Sequence, residues 1–233
     1  MIQTWHTSMN YRKIPQAVAD KLRPIEAYVY LAWSSKSDYG TDESNVNEDT
    51  LAELTGLRRE TISIYITKFD NEEIIKKTTE RRKGDNGTFL FNHYYLYTDN
   101  YSLISMDLLN EPISRELIGF LVQLKLRCYN FTNLCQYSVR DLADTLVYSK
   151  STVDRYLIEA EKLGYIKRDK DGIHLLNEKL FIIDNKSVYE LVREYYPEVL
   201  TDVEIANHKI SSSPLRWWGL FRHNNIYDCN HHN

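Results

Sequence analysis

Cysteine is scarce and unpatterned in this chain. The 233 residues hold three, Cys128, Cys135 and Cys229, with no C-x-x-C spacing. So odd and sparse a set excludes a disulfide scaffold or a zinc knuckle and points to a reducing compartment, the cytoplasm. Long apolar runs are missing as well. The longest stretches are too short and too interrupted to span a bilayer, so no membrane partner is expected. Residues 1–10 have no apolar core behind a basic start, so no secretory signal is expected. Catalytic signatures are also lacking. There is no Gly-rich loop ending in Gly-Lys-Ser/Thr, no H-E-x-x-H and no G-x-S-x-G. A DNA-nicking tyrosine enzyme would need two histidines flanking one apolar residue, and only His231 and His232 lie close together. The 18 tyrosines fall mostly at positions that suit packing, such as Tyr28, Tyr65 and Tyr156, so none stands out as a nucleophile. The expectation is a protein that is not an enzyme and takes no cofactor.

Apolar residues make up 42% and charged residues 27%, which is globular composition and argues against a mostly disordered chain. The net charge of −4 speaks against a histone-like polyanion binder, yet it leaves room for a basic face on an acidic body. The strongest pattern is an ungapped internal repeat at an offset of about 91 positions. Leu51-Ala52 falls on Leu142-Ala143, Thr61-Ile62 on Thr152-Val153, Tyr65-Ile66 on Tyr156-Leu157, and Ile75-Lys76 on Ile166-Lys167. Two copies of a unit of roughly 90 residues follow, with boundaries at 11–99 and 100–184 and a tail over 185–233.

Each copy shows the same order. Ile25, Val29, Ala32 and Trp33 recur at helical spacing behind Pro24, and Leu117, Ile118, Leu121, Val122 and Leu124 follow the N-cap residue Ser114. A short helix is predicted over 48–54 and again over 139–146. A longer one is predicted from about 59 to 71 and from about 151 to 163, with Ile62, Ile66 and Phe69, or Val153, Leu157, Ala160 and Leu163, facing inward. Each copy closes on a β-hairpin, from Ile74-Ile75 to Phe91 and from Tyr165-Ile166 to Leu176. Helix, short helix, tight turn, helix and hairpin spell a mainly α chain with small β-hairpin wings: two tandem winged helix-turn-helix domains plus a C-terminal helical tail.

The candidate site follows from that arrangement. Between the two helices of copy one, Gly56 accepts φ > 0 and Leu57 plugs the turn. Arg58, Arg59, Thr61, Ser63 and Lys68 are then free to point outward, as residues of a helix that enters a major groove. The hairpin adds Lys76, Lys77, Arg81, Arg82 and Lys83, a cationic tip suited to phosphates or a minor groove. Copy two has no turn glycine. It offers Ser149, Lys150, Ser151, Thr152 and Arg155 at the start of its second helix, where backbone N–H groups also favour phosphate. Its hairpin places Lys167 and Arg168 among Asp169 and Asp171, so copy one is expected to carry most of the phosphate contact.

Residues 13–98 resemble the winged-helix N-terminal domains of bacterial phage and plasmid replication proteins. The matching residues are Leu51, Ala52, Thr55, Gly56, Arg59, Thr61 and Ile62, then Ile74-Ile75-Lys76, Arg81-Arg82-Lys83, and Asn92, Tyr94 and Leu96. Copy two repeats the layout through Leu163 to Ile166. The resemblance implies a replication initiator of a phage, plasmid or mobile island that binds repeats in double-stranded DNA. Bacterial transcription regulators share the same helix-turn-helix logic, and a protein-interaction module is the third reading.

The tail differs from both copies. An amphipathic helix is predicted over 187–200 (Val188, Leu191, Val192, Tyr195), able to pack on copy two or to form a homodimer. Beyond Pro214, Trp217, Trp218 and Phe221 either fold back on the body or dock on a partner, which under the replication reading is a helicase or its loader. His223, Cys229, His231 and His232 are loose terminal ligands, and no metal site is expected from them.

Overall fold

The computed structural model describes residues 11–38, 41–84, 87–98, 100–129, 132–146 and 148–183. Strand β1 (Tyr11–Pro15) leads into a short helix α1 (Ala17–Lys21) and then α2 (Pro24–Ser34). A two-residue strand β2 (Glu43–Ser44) precedes α3 (Glu48–Thr55) and α4 (Arg59–Asn71). Strands β3 (Ile75–Gly84) and β4 (Gly87–Leu96) form a long hairpin, and β5 (Tyr101–Ser105) runs into a 3₁₀ turn. The second half repeats part of this order with α5 (Arg115–Leu126), β6 (Leu134–Cys135), α6 (Val139–Thr145), α7 (Lys150–Lys162), β7 (Ile166–Asp169) and β8 (Gly172–Leu175).

This architecture corrects the fold class expected from sequence. The chain is not mainly α, and two tandem winged helix-turn-helix domains are not its architecture. Among the described residues 45% are helical and 25% are in strands, arranged as seven α-helices and three antiparallel sheets. Two features raise the strand content. Each hairpin recruits a third strand, giving the orders β2-β4-β3 and β6-β8-β7. A separate sheet pairs β1 with β5 from Tyr11↔Ser105 to Pro15↔Tyr101. Those partners lie some 90 residues apart, one at the start of each copy, so no local pattern announces them. The expected tail helix, with Trp217, Trp218 and Phe221, lies outside the described residues.

Among the described residues the core is built on a helix pair. In α2, every residue except Ile25 is buried, so the helix has no polar face. Helix α5 lies against it, with Leu117, Phe120, Leu121 and Leu124 fully buried. The helices meet at Gly119, where an added Cβ would stand 1.7 Å from the Pro24 carbonyl oxygen. Only glycine permits that approach. Gln123, one turn on and fully buried, donates to the Leu22 carbonyl at 2.5 Å and accepts from the Tyr148 hydroxyl at 3.0 Å. Buried amides of this kind are retained only when both ends are satisfied, as they are at Gln123.

Around α2 the first half packs Trp33, Tyr30, Phe69, Leu51, Ile62 and Ile66. Trp33 donates its indole N–H to the Ser44 hydroxyl at 3.0 Å and meets Tyr94 edge-on at 4.8 Å. These contacts fasten the root of the β3–β4 hairpin to the helices and leave its far end projecting. Among the described residues no helix is long and apolar enough to cross a membrane.

Replacing Gly119 with alanine should force α2 and α5 apart and lower stability by about 3 kcal/mol, the upper range for an overpacked core. A fall in the urea midpoint at unchanged slope would register it, and an unaltered midpoint would disprove the close approach.

Candidate nucleic-acid interface

The corner between α3 and α4 is built from local rules. Asn47 caps α3, its side chain accepting from the Thr50 N–H at 2.8 Å. The helix ends on Gly56 in the left-handed region, at φ 62°. From the second half, Arg115 donates to the Gly56 carbonyl at 3.2 Å, and an added Cβ on Gly56 would stand 2.4 Å from that guanidinium. An exposed arginine of α5 therefore braces the corner, a role with no local signal in the sequence.

Helix α4 then divides its residues as the apolar spacing predicts. Ile62, Ile66 and Phe69 are buried. Arg58 and Arg59 are exposed at its start, and Thr61 and Ser63 are half-buried. The Arg59 guanidinium lies 3.4 Å from both Glu48 and Asp49 at the head of α3, loose surface pairs with 60% of the arginine side chain exposed. Ile64 is 66% exposed, an apolar side chain off the buried stripe. Sequence reasoning passed over it, although its place between Ile62 and Ile66 on the polar side was legible.

Lys68 does not face outward as expected. Its ammonium stands 2.6 Å from Glu26, a carboxylate of α2 whose side chain is 1% exposed. Glu26 also accepts from the Arg23 backbone N–H at 2.8 Å and pairs with the Arg23 guanidinium at 2.9 Å. Burial pushes the Glu26 carboxyl upward, but the Arg23 N–H, Lys68 and the Arg23 guanidinium together outweigh it and hold it below the ordinary glutamate range. A desolvated charge demands a cation, and that demand draws Lys68 away from the surface.

The hairpin register sorts the five basic residues. Cross-strand partners share a face, and Ile75↔Leu96 and Lys77↔Tyr94 place the helix-side face. Arg81↔Leu90 and Lys83↔Thr88 continue that face, so Lys77, Arg81 and Lys83 lie on the side of the sheet nearer α4. Lys76 and Arg82 lie on the opposite side, with Tyr95, His93 and Phe91 of β4. All five are exposed. Gly84 pairs with Gly87, and residues 85–86 between them lie outside the described residues.

The second half is arranged differently. Ser149 caps α7, its hydroxyl accepting from the Thr152 N–H at 3.2 Å and contacting the Ser151 and Thr152 hydroxyls at 3.0 and 2.8 Å. Arg155 lies over the Tyr156 ring at 5.1 Å. Arg168 is gripped by Glu161 at 2.7 Å and faces Asp154 at 3.5 Å. The Arg168–Glu161 bond lowers the carboxyl of Glu161 and raises the guanidinium of Arg168. Lys167 stands 3.8 Å from Asp169, and Lys150 is exposed. Among the described residues no three metal-ligating side chains come together.

No known protein family, no curated protein and no solved structure matches the chain. The functional reading therefore rests on the geometry and on the residues themselves.

Exchanging Lys68 for methionine should cost about 3 kcal/mol, as one partner of a buried carboxylate is removed. DNA affinity should stay at the parent level. The parent's ion pair stabilises fully above the ordinary glutamate pKa, and this contribution drains away as the pH falls through the lowered folded value. Thermal midpoints taken from neutral pH down to about 3 should fall more steeply for the parent than for Lys68→Met. Parallel curves would contradict the assigned pair.

Proposed function

We propose that this protein binds double-stranded DNA in a sequence-specific manner, chiefly through its first half. The carrying observation is one-sided charge. Arg58 at the head of α4 and Lys77, Arg81 and Lys83 on the helix-side face of the hairpin are all exposed. In the second half Arg168 is held by Glu161 and Asp154. In this reading the first turns of α4 enter the major groove, and the hairpin cations lie against the flanking phosphates. Arg59 can exchange its loose acidic partners for a guanine edge, Thr61 and Ser63 can hydrogen-bond a base or a phosphate, and exposed Ile64 suits a thymine methyl. Lys150, Ser151 and Lys167 of the second half add weaker contacts.

The resemblance carried by Leu51 to Ile62 and by the hairpin favours initiation of replication on a phage, plasmid or mobile element, over transcriptional regulation by the same surface. The segment around Trp217, Trp218 and Phe221 would then serve a helicase or loader. The two described cysteines are buried free thiols, which suits the cytoplasm.

Changing Lys77, Arg81 and Lys83 to glutamine together should weaken binding to all duplexes alike and reduce the salt slope of log K by roughly 2 to 3. Arg59→Ala should instead alter preference at one base pair by about 1–3 kcal/mol. Filter binding over a salt series measures both, and parental behaviour in both variants would end this assignment. Sequencing DNA immunoprecipitated with the protein separates origin repeats from promoter operators.

A further inference from the structure

The face of the β2-β4-β3 sheet turned away from the helices has a composition that duplex binding does not use. Its central strand presents Phe91, His93 and Tyr95 in alternate positions, and Tyr97 follows. Phe91 meets His93 at 4.8 Å and Tyr95 meets Tyr97 at 5.4 Å, both pairs edge to face. Tyr95 is 39% exposed and the His93 side chain 34% exposed. The ring of His93 is fixed, one nitrogen 2.8 Å from the Asn45 side-chain oxygen and the other 3.1 Å from Glu80. Lys76 and Arg82 flank the aromatic row on β3, in register with Tyr95 and next to Phe91. The Arg82 guanidinium lies 3.9 Å from the Phe91 ring centre with 45% of its side chain exposed, so its outer side is a planar cation. Between Lys76, Thr78, His93, Tyr95, Tyr97 and Glu43 runs a groove of about 360 Å³.

We propose that this outer sheet face is a binding surface for a single-stranded polynucleotide, with unpaired bases stacking on Tyr95, His93 and the Arg82–Phe91 pair and with Lys76 and Arg82 meeting the phosphates. Rings of any π-face accept any base, and a neighbouring cation supplies the backbone contact. The spacing selects for an opened strand. Alternate residues of a strand stand about 6.8 Å apart, twice the roughly 3.4 Å step of a stacked nucleic-acid strand. Bases must be pulled apart to use successive rings, and a duplex does not allow that. Of the two acids on this face, Glu80 is bound to Arg82 and to His93, and Glu43 lies at the edge of the groove. The surface lies on the opposite side of the sheet from Lys77, Arg81 and Lys83, so it stands or falls separately from the duplex reading.

The test titrates full-length protein against fluorescent dT15 and rU15 and, separately, against a cognate or random duplex. The double variant Phe91→Ala/Tyr95→Ala should weaken single-strand binding at least about 10-fold, with duplex affinity unchanged. Tyr95→Phe, which keeps the ring, should restore most of the loss that Tyr95→Ala alone causes. Lys76→Gln/Arg82→Gln covers the case in which ring removal unfolds the sheet. It should lower single-strand affinity and its salt slope. Photocrosslinking to an oligonucleotide carrying 5-iodouracil should map to residues 91–97. Tighter binding of dT15 or of rU15 identifies DNA or RNA as the strand, and either supports the surface. Absent single-strand binding, affinity indifferent to both double variants, or a crosslink elsewhere overturns it. A parallel loss of duplex binding in the ring variants also overturns it, because the two surfaces would then be one.

Discussion

The approach of α5 to α2 at Gly119 is the constraint from which the rest of the structure follows. With no side chain between them, the helices sit close enough for Gln123 to reach the Leu22 carbonyl and for Arg115 to reach the Gly56 carbonyl. The first contact closes a buried polar chain that ends on Tyr148, in the turn before α7. The second braces the corner before α4. Both longer helices of the repeat are therefore oriented from the same central pair. From its first turn α2 also projects Glu26, and that carboxylate fixes α4 through Lys68. One glycine thus governs the posture of the elements that carry the candidate interface.

Charge is sorted by acids as much as by bases. The two halves hold comparable cations, but the second half neutralises Arg168 with Glu161 and Asp154 and leaves Lys167 beside Asp169. In the first half, acids engage Arg59 loosely and leave the helix-side hairpin row exposed. A negative net charge and a basic face are compatible because the pairing is local. The two faces of one hairpin also differ in chemistry: cations on threonine and asparagine neighbours on one, cations on aromatic rings on the other.

Local grammar was legible in the sequence. Apolar spacing, Ser114 as a cap and Gly56 in the turn place most of α2 through α7 and both hairpins, because each depends on neighbours within a few turns; Leu163, expected to face inward, is instead 50% exposed just past α7. Fold class was not legible, since the β1–β5 pairing and the strands β2 and β6 depend on partners far along the chain. Lys68 shows the same boundary within the site. Its helical position reads as outward, and only the buried Glu26 of another helix, 42 residues away, claims it. Arg115 was hidden for the same reason. The aromatic row of β4 was readable as alternation, but which face the helices would cover was not.

The pairing of distant segments also bears on how the chain acquires its structure. The α2–α5 core and the β1–β5 sheet both join residues about 90 apart, and the described residues of 11–129 and 133–182 cluster into one compact unit. Closing loops of that length costs entropy before any apolar contact repays it. The repeated halves, although alike in sequence, are then poor candidates for independent folding, since each lacks the helix that covers its own. The contacts that tie the two halves together are the long-range ones, so completing the core means reaching across the repeat boundary.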